Sequence, residues 1–228
     1  MNNQEQKKLK MNYISDLDIE EVIQQNNCLV KFQGQYRSFQ STQIVKLDFR
    51  KTILEKKILL DQFLRILKNT TELKIFSVII QSYQIQNQEI LSLCECIKSN
   101  KQMLELEIQL DDCNLNNNQI QNLTISFYEL TQLKKLIFDV SESSIQSNGL
   151  IFIGKAIQNL PYLIHLNLNV WYCQIQLEGF IQFAKYLTQL KSLRVLIFKF
   201  GWNLFDDIQE QYVKNSLKKQ KRIVNCVF

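Results

Sequence analysis

The sequence predicts an α/β fold in which a right-handed solenoid bends into a horseshoe, with parallel β-strands on the concave face and α-helices on the convex face. Two observations predict it. A short motif with apolar residues at relative positions 0, 3 and 5 occurs seven times at nearly constant spacing. Between consecutive motifs lies a second apolar pattern, at relative positions 0, 3 and 7, which is the buried stripe of an α-helix. Such regular self-similarity is typical of repeat architectures.

The first motif marks one short strand in each unit. Its clearest copy runs from Leu163 to Leu168, and Leu163, Leu166 and Leu168 are its apolar members. The step between copies is 29 residues for the first pair and 30 residues thereafter. The predicted strands are Ile44–Arg50, Leu73–Ile79, Met103–Gln109, Leu133–Asp139, Leu163–Asn169, Leu193–Lys199 and Ile223–Phe228.

Each of the first six strands is followed by a polar turn and a predicted helix. The first apolar helix row is Leu60, Ile90, Ile120, Leu150 and Phe180, and two further rows follow three and seven residues later. A fourth row is mostly small and predicts a close approach of helix and sheet: Leu64, Cys94, Thr124, Gly154 and Ala184. Strands joined by helices pair in parallel through right-handed crossovers. Because a helix is wider than the ~4.8 Å strand spacing, helices on one side bend the array.

The pattern LxxLxLxx, followed by a polar or Cys position, an apolar position and a long helix, resembles the leucine-rich repeat family. The step of 29 to 30 residues, the full helix, and Gly149 and Gly179 near the helix starts resemble its ribonuclease-inhibitor-type subclass. The resemblance covers about residues 44–228 and implies the fold stated above. Two features depart from the family pattern. The chain ends on a strand, and the Asn or Cys ladder at relative position 10 reads Tyr83, Cys113, Ser143 and Cys173.

The sequence divides at the first regular strand. Residues 1–43 are predicted to form a polar tail and an atypical N-terminal cap, and residues 44–228 the leucine-rich repeat array, with six strand-helix units of 29–30 residues and a terminal strand. Residues 1–10 are the tail, and Ser15–Asn27 is a predicted helix, for which a degenerate extra strand at Ile14–Ile19 is the alternative. Residues 28–43 have no regular pattern and would cap the open end of the core.

Composition and charge argue against several function classes. The net charge of +5 is mild, and basic residues cluster only at Lys7–Lys10 and Lys218–Arg222, which argues against a nucleic-acid partner. We expect neither a signal peptide nor a membrane span, because the sequence lacks an N-terminal apolar region and a long apolar run.

The six cysteines form no CxxC pair and no zinc spacing. We therefore expect reduced, buried thiols, no metal, no cofactor, and an intracellular, cytoplasmic location.

No arrangement of residues predicts catalysis. The single histidine, His165, occupies a strand position that faces the concave side, and no motif ties a serine or cysteine to it. The sequence contains no nucleotide-binding or kinase signature. The acidic pair Asp111 and Asp112 lacks the glycine-containing loop and further oxygen ligands that calcium requires. We predict a protein that is not an enzyme.

The concave face is predicted to bind protein. Strand positions 2, 4 and 6 point into the concavity, and they combine mixed charge with apolar side chains such as Ile197. Trp171, Tyr172 and Trp202 follow the fifth and sixth strands, and these residue types are enriched in binding hot spots. Packing over the turn edge is the alternative for these aromatic residues. The predicted partner-binding residues are His165, Trp171, Tyr172, Ile197, Lys199 and Trp202, with Glu105, Glu107 and Asp111 as an acidic flank.

These features are typical of a non-enzymatic protein-protein interaction module that binds a protein partner through its concave face. Two alternatives stay open at this point. The resemblance implies that a regulator of a small GTPase could present an arginine, and Arg50 and Arg194 are the only arginines in the predicted strands before the last. The array could also be the sensor part of a larger signalling protein. The sequence identifies neither the partner nor the oligomeric state.

Overall fold

The computed structural model describes residues 29–33, 43–50, 60, 63, 64, 67, 70–220, 223 and 225–227. Its core is an eight-stranded sheet whose spatial order is the order of the chain. The first pair of strands is antiparallel, and every later pair is parallel. The strands are β1 Leu29–Gln33, β2 Ile44–Asp48, β3 Ile75–Gln81, β4 Glu105–Asp111, β5 Lys135–Asp139, β6 His165–Asn169, β7 Val195–Lys199 and β8 Asn225–Val227.

Strand β1 lies in a stretch for which the sequence predicts no regular element. It pairs with β2 over five residues, from Leu29 opposite Asp48 to Gln33 opposite Ile44. The backbone of β1 therefore covers the edge of β2 that faces away from β3, where no earlier repeat supplies a strand. An unpaired strand edge exposes N–H and C=O groups to other chains, and β1 removes that exposure from β2.

Strand β2 begins at Ile44 as predicted, whereas the strands from β3 onwards begin two residues later than predicted. Leu163 is fully buried but precedes β6, in a turn where its N–H donates to the Leu160 carbonyl at 3.2 Å. The next residue, Ile164, and the first residue of β6 both donate to the Lys134 carbonyl, which aligns β6 on β5. The buried faces of the strands are as predicted, because side chains alternate with a period of two residues and the start of a strand does not change that alternation.

The first repeat has a different register from the predicted one. Ile44 of β2 pairs with Ile75, so the first step is 31 residues instead of the predicted 29, while later steps are 30. Val45 and Leu47 are fully buried, and Ile44 is only half-buried. A shift by two residues leaves each side chain on its face of the sheet, so Lys46 points away from the core as predicted.

Helices connect the strands from β3 onwards and pack on one face of the sheet. In the described residues they are α1 Asn87–Ser99, α2 Asn117–Ile125, α3 Gln146–Ile157, α4 Leu177–Leu187 and α5 Asp207–Lys218, with a short 3-10 helix, Ser126–Glu129, after α2. The predicted apolar rows are buried, as in Ile90, Leu93 and Ile97 of α1. In the first unit, Leu60 and Leu67 are helical and buried at equivalent positions. Apolar burial on one helical stripe therefore holds these helices on the sheet.

The row of small helix residues faces the neighbouring helix, not the sheet as predicted. A Cβ atom added to Gly154 of α3 would lie 2.4 Å from Cδ2 of Tyr186 in α4. The Cys94 side chain of α1 contacts Ser126 of the next unit. These small residues thus allow close approach between successive helices, which keeps the units at the spacing that the parallel sheet requires.

From Cys113 onwards, a ladder at relative position 10 joins each turn to the preceding one, whereas Tyr83 donates to Glu89 of its own unit. The thiol of Cys173 donates to the Val140 carbonyl at 3.2 Å. Asn203 continues the ladder one unit further, because its Nδ2 donates to the Val170 carbonyl at 2.9 Å. Its Oδ1 accepts from the N–H groups of Cys173 at 3.1 Å and Ile175 at 2.9 Å. Asn203 therefore occupies the ladder position of the sixth unit, which the sequence prediction omits.

Cys94, Cys96 and Cys173 are free, buried thiols, as expected from their spacing, and Cys113 is also buried. Burial raises the pKa of Cys94 to about 11 and the pKa values of Cys96 and Cys173 to about 12. These thiols are therefore protonated and unreactive at neutral pH.

Several predictions fall outside the described residues. They are the polar tail 1–10, the helix or alternative strand within 14–27, and the basic residues Lys221 and Arg222. In the part of the chain that the structure describes, no helix combines the length and apolar character needed to cross a membrane.

Candidate functional site

Helices cover one face of the parallel sheet, and we call the other side the open face. Strand pairing arranges its side chains in three rows that cross the strands. Most of these side chains are partly exposed, while the alternate strand residues are buried, so the predicted alternation is confirmed. From the amino to the carboxyl ends of β3–β7, the rows are Ile75, Glu105, Lys135, His165 and Val195; Ser77, Glu107, Ile137, Asn167 and Ile197; and Ile79, Gln109, Asp139, Asn169 and Lys199.

The predicted site residues do not form one cluster. His165 and Glu105 lie in the amino-end row, Glu107 and Ile197 in the middle row, and Lys199 in the carboxyl-end row. Along a strand, the first and third rows are about 13 Å apart, since each residue advances roughly 3.3 Å. The aromatic residues follow the carboxyl ends, so the structure separates the histidine from them.

His165 lies beside an ion pair in the amino-end row. Its row neighbour Lys135 pairs with Glu105, with 3.6 Å between Nζ and Oε2. Partial burial lowers the pKa of His165 below its ordinary value, Lys135 lowers it further, and Glu105 opposes them. The imidazole is therefore neutral at pH 7, and within the described residues no serine or cysteine side chain is hydrogen-bonded to it. This geometry suits a polar contact and provides no nucleophile for catalysis.

A chain of polar side chains runs along the carboxyl ends of the strands. The hydroxyl oxygen of Ser141 lies 3.0 Å from Oδ1 of Asp111 and 2.6 Å from Oδ1 of Asp139. Asn169 donates to Oδ2 of Asp139 at 2.8 Å, and its own Oδ1 accepts from the Trp171 N–H at 3.2 Å. Asp111, predicted to flank the site, is thus a member of a hydrogen-bonded chain that orders the edge next to the aromatic residues.

A residue with left-handed backbone dihedrals recurs at the same position of each turn after β3–β7. All five are exposed, and we call them the turn row: Ser82, Asp112, Glu142, Tyr172 and Trp202, with φ between 50° and 57°. This conformation suits Gly, Asn and Asp and costs other residues roughly 1–2 kcal/mol. Tyr172 and Trp202 do not offset this cost by burial, because 55% and 74% of their surface is exposed. Folding alone does not account for bulky aromatic side chains at these two positions.

Trp171, Tyr172 and Trp202 form an aromatic cluster at the end of the turn row. The ring centroid of Trp171 lies 5.8 Å from that of Tyr172 and 6.1 Å from that of Trp202. The indole of Trp171 also lies against Gly201, because a Cβ atom there would be in ordinary van der Waals contact with Cδ1 of Trp171, at 3.5 Å. Packing over the turn edge, the alternative considered from sequence, therefore applies in part to Trp171, which is 36% exposed. It does not apply to Trp202.

An open recess of about 660 Å³ lies between the aromatic cluster and α5. Lys214 in its wall pairs with Glu210 at 2.6 Å. Among the residues that the structure describes, the ammonium of Lys199 has no ion-pair partner. The recess therefore combines aromatic walls with a cation available to a partner. Its lining includes Trp171, Trp202, Phe205, Lys199, Asp207, Glu210 and Lys214.

Three further exposed apolar residues lie in the turn before α5 and in α5 itself, and the sequence prediction omits them. They are Leu204, Ile208 and Tyr212, and Ile208 is 81% exposed. Ile208 and Tyr212 are four residues apart in α5 and so share one side of the helix. That spacing was the available signal in the sequence. A second recess, of about 430 Å³ between α4 and α5, has Tyr212 in its lining.

Arg50, the arginine considered for GTPase regulation, is held by its own neighbour. Its Nε and Nη2 donate to the carboxylate of Asp48, with the shortest distance 2.6 Å. These hydrogen bonds, with the charge of Asp48, raise the pKa of Arg50. Across the described ranges, no group of three or more His, Cys, Asp or Glu side chains is placed to hold a metal ion.

Comparisons with known proteins identify the fold but not the family. No protein-family model and no curated protein matches the chain. The structure titled Leiomodin-1 Actin-Binding Site 2 aligns with a TM-score of 0.53 and 17% identity, over 72% of this chain and 94% of that one. The tropomodulin C-terminal domain of Caenorhabditis elegans aligns with a TM-score of 0.52 and 13% identity, over 70% and 92% of the two chains. The likeness concerns the fold alone, which is α/β with a parallel sheet and leucine-rich-repeat-like.

Proposed function

We propose that this chain is a non-enzymatic protein-protein interaction module that holds a protein partner on the open face and the adjoining aromatic cluster. The observation that carries the proposal is the pair Tyr172 and Trp202. Both are exposed aromatic residues at turn positions whose backbone favours small residues. Trp and Tyr supply a large share of the binding energy in protein interfaces. Their exposure is therefore explained if a partner buries them.

The proposed contacts have different roles. Trp171, Tyr172 and Trp202 are apolar anchors, and Lys199 pairs with a carboxylate of the partner. Ile197 supplies apolar contact, and its row continues to the exposed Val227 of β8. Glu105, Glu107 and Asp111 form the acidic flank, and His165 contributes a neutral hydrogen-bonding group at the far end of the face.

The proposal also covers the repeat subclass, the curvature of the sheet and the bounds of the repeat array. We propose a horseshoe solenoid of ribonuclease-inhibitor type, with the open face concave, over residues 44–228. The constant 30-residue register from β3 to β7 and the strand order support it. Residues 1–43 would be the polar tail and cap, a role that β1 on the edge of β2 supports. Free buried thiols support an intracellular, cytoplasmic location.

Actin is the first protein to test, because one structural neighbour is named for an actin-binding site. The purified chain would be centrifuged with filamentous actin, and mixed with monomeric actin before gel filtration. Binding that is lost in Trp202→Ser would identify actin as a partner of this surface. Absence of binding in both assays would reject actin and leave the surface to a second experiment.

Site-specific photo-crosslinking tests the surface without assuming a partner. A photoreactive phenylalanine would replace Trp202, Ile197 or, as a matched control, the exposed Glu95 of α1 on the helical side. We expect protein adducts in source-cell lysate from positions 202 and 197 and not from position 95. Adducts from position 95 alone, or from none of the three, would contradict the proposal.

The alternative of a small-GTPase regulator is not favoured. Its arginine would have to leave Asp48, which holds two of its guanidinium nitrogens. If Arg50→Ala abolished GTPase stimulation by the purified chain, this alternative would replace the one proposed. No described feature specifically favours a sensor role within a larger signalling protein.

A further inference from the structure

We infer that the partner presents a basic segment with an apolar anchor, and that this segment docks along the turn row at the edge of the sheet. The inference rests on the proposed function and adds the chemical class of the partner. It also shifts the main contact from the middle of the open face to its carboxyl edge.

Backbone hydrogen bonds make the turn row a continuous edge. The N–H groups of the first four members each donate to a carbonyl of the next turn, so the row advances one strand spacing per unit. From first to last member it spans about 19 Å, at ~4.8 Å per strand. An extended segment of roughly six residues has that length. The four bonds, of 2.9–3.1 Å, join Ser82 to Asp111, Asp112 to Ser141, Glu142 to Trp171 and Tyr172 to Gly201.

One half of the turn row is acidic. Asp112 and Glu142 are adjacent and exposed, and within the described part of the chain their carboxylates form neither an ion pair nor a hydrogen bond. Asp111 and Asp139 add negative charge beside them, from the polar chain along the strand ends. Arg50, which follows β2 at the same edge, is already paired with Asp48. Lysine or arginine is therefore the complementary residue for this half.

The other half of the turn row is aromatic. Tyr172 and Trp202 offer flat, exposed faces on which an apolar side chain can pack. Lys199 and Lys214 line the recess beside Trp202 together with Asp207 and Glu210, so the recess carries no net negative charge to attract a cation. The acidic and aromatic halves therefore set the order in which basic and apolar residues occur along the partner segment. Its cations lie over Asp112 and Glu142, and its apolar anchor lies one or two strand spacings further along.

A peptide array supplies the probe. It would carry peptides of about eight residues with every position varied among Arg, Glu, Phe and Ser, long enough to span the row. We expect the native chain to retain peptides enriched in Arg over Glu that also contain Phe. Trp171 and Trp202 are the two tryptophans of the sequence. Selective tryptophan excitation therefore reports binding of the best peptide at the aromatic cluster, and this binding should weaken as salt rises.

A pair of isosteric variants assigns the charge preference to the turn row. Asp112→Asn with Glu142→Gln should weaken the best peptide about two- to thirty-fold, the range for two exposed ion pairs. The control, Glu95→Gln with Glu178→Gln, makes the same charge change at exposed positions of α1 and α4. The affinity of this control variant for the best peptide should equal that of the native chain.

The outcomes separate this inference from the proposed function. Enrichment of Glu, no charge preference, no retained peptide, or equal weakening in the control would overturn the basic-segment inference. If crosslinking at positions 202 and 197 still captured a partner, the proposed function would stand without it. If crosslinking and the array both failed, both would be rejected.

Discussion

Replacement of Asn203 by alanine should destabilise the carboxyl-terminal end of the array. The Asn203 amide donates to the carbonyls of Val170 at 2.9 Å and Phe200 at 2.8 Å, and accepts from the N–H groups of Cys173 and Ile175. A net hydrogen bond contributes about 1 kcal/mol, and a buried group left unpaired costs roughly 1–3 kcal/mol. Asn203 is half-buried, so water can reach part of the gap. We therefore expect a loss of about 3 kcal/mol in the free energy of unfolding.

Urea unfolding, followed by both far-UV circular dichroism and tryptophan fluorescence, would measure this loss. Trp171 and Trp202 lie in the two turns that Asn203 joins, and terminal repeats can unfold separately, so the fluorescence midpoint should fall further than the dichroism midpoint. Asn159→Ala is the control, because it removes a single exposed hydrogen bond to Lys155. A loss below about 1 kcal/mol in Asn203→Ala, or equal to that of the control, would refute the ladder argument.

Three further predictions concern packing and titration. Gly154→Ala places a Cβ atom 2.4 Å from Tyr186, so it should cost about 1–3 kcal/mol, and Tyr186→Ala should recover part of that in a double-mutant cycle. Burial raises the pKa of Cys173 to about 12, so its contribution to stability is complete below the unfolded-state pKa near 8.5 and is lost as pH rises towards 12. Urea midpoints from neutral to alkaline pH should therefore fall, and less so in Cys173→Ala. The pKa of His165 should lie below its ordinary value in an NMR titration, so its contribution to stability is lost as pH falls through that pKa. Glu105→Gln should lower the pKa further, and a raised value would contradict the placement.

The regular part of the fold was predictable because apolar periodicity reports burial directly. Leu166 and Leu168 are buried as their spacing predicts, and Ile90 and Leu93 lie on the buried stripe of α1. Register at the first strand was not predictable in the same way. Pairing Ile44 with Ile75 or with a residue two positions earlier buries the same face, so apolar pattern alone does not distinguish the two pairings.

The structure brings only some of the predicted site residues together. Trp171, Tyr172 and Trp202 are neighbours, whereas His165, predicted to share their site, lies at the opposite end of its strand. The sequence prediction does not include Ile208, and its exposure on α5 is a feature of the tertiary structure, because an apolar residue in a helix can face either the core or the solvent.

The sequence by itself determined the repeat, the alternation of strand and helix, and the side of each strand that is buried, because these depend on local spacing and on the transfer of apolar side chains out of water. Only the tertiary structure decided which side chains become neighbours across strands. Parallel pairing brings residues 30 positions apart to within one strand spacing, so Asp112, Glu142, Tyr172 and Trp202 form one edge. That edge depends on the register between units, and no residue spacing within a single unit encodes it.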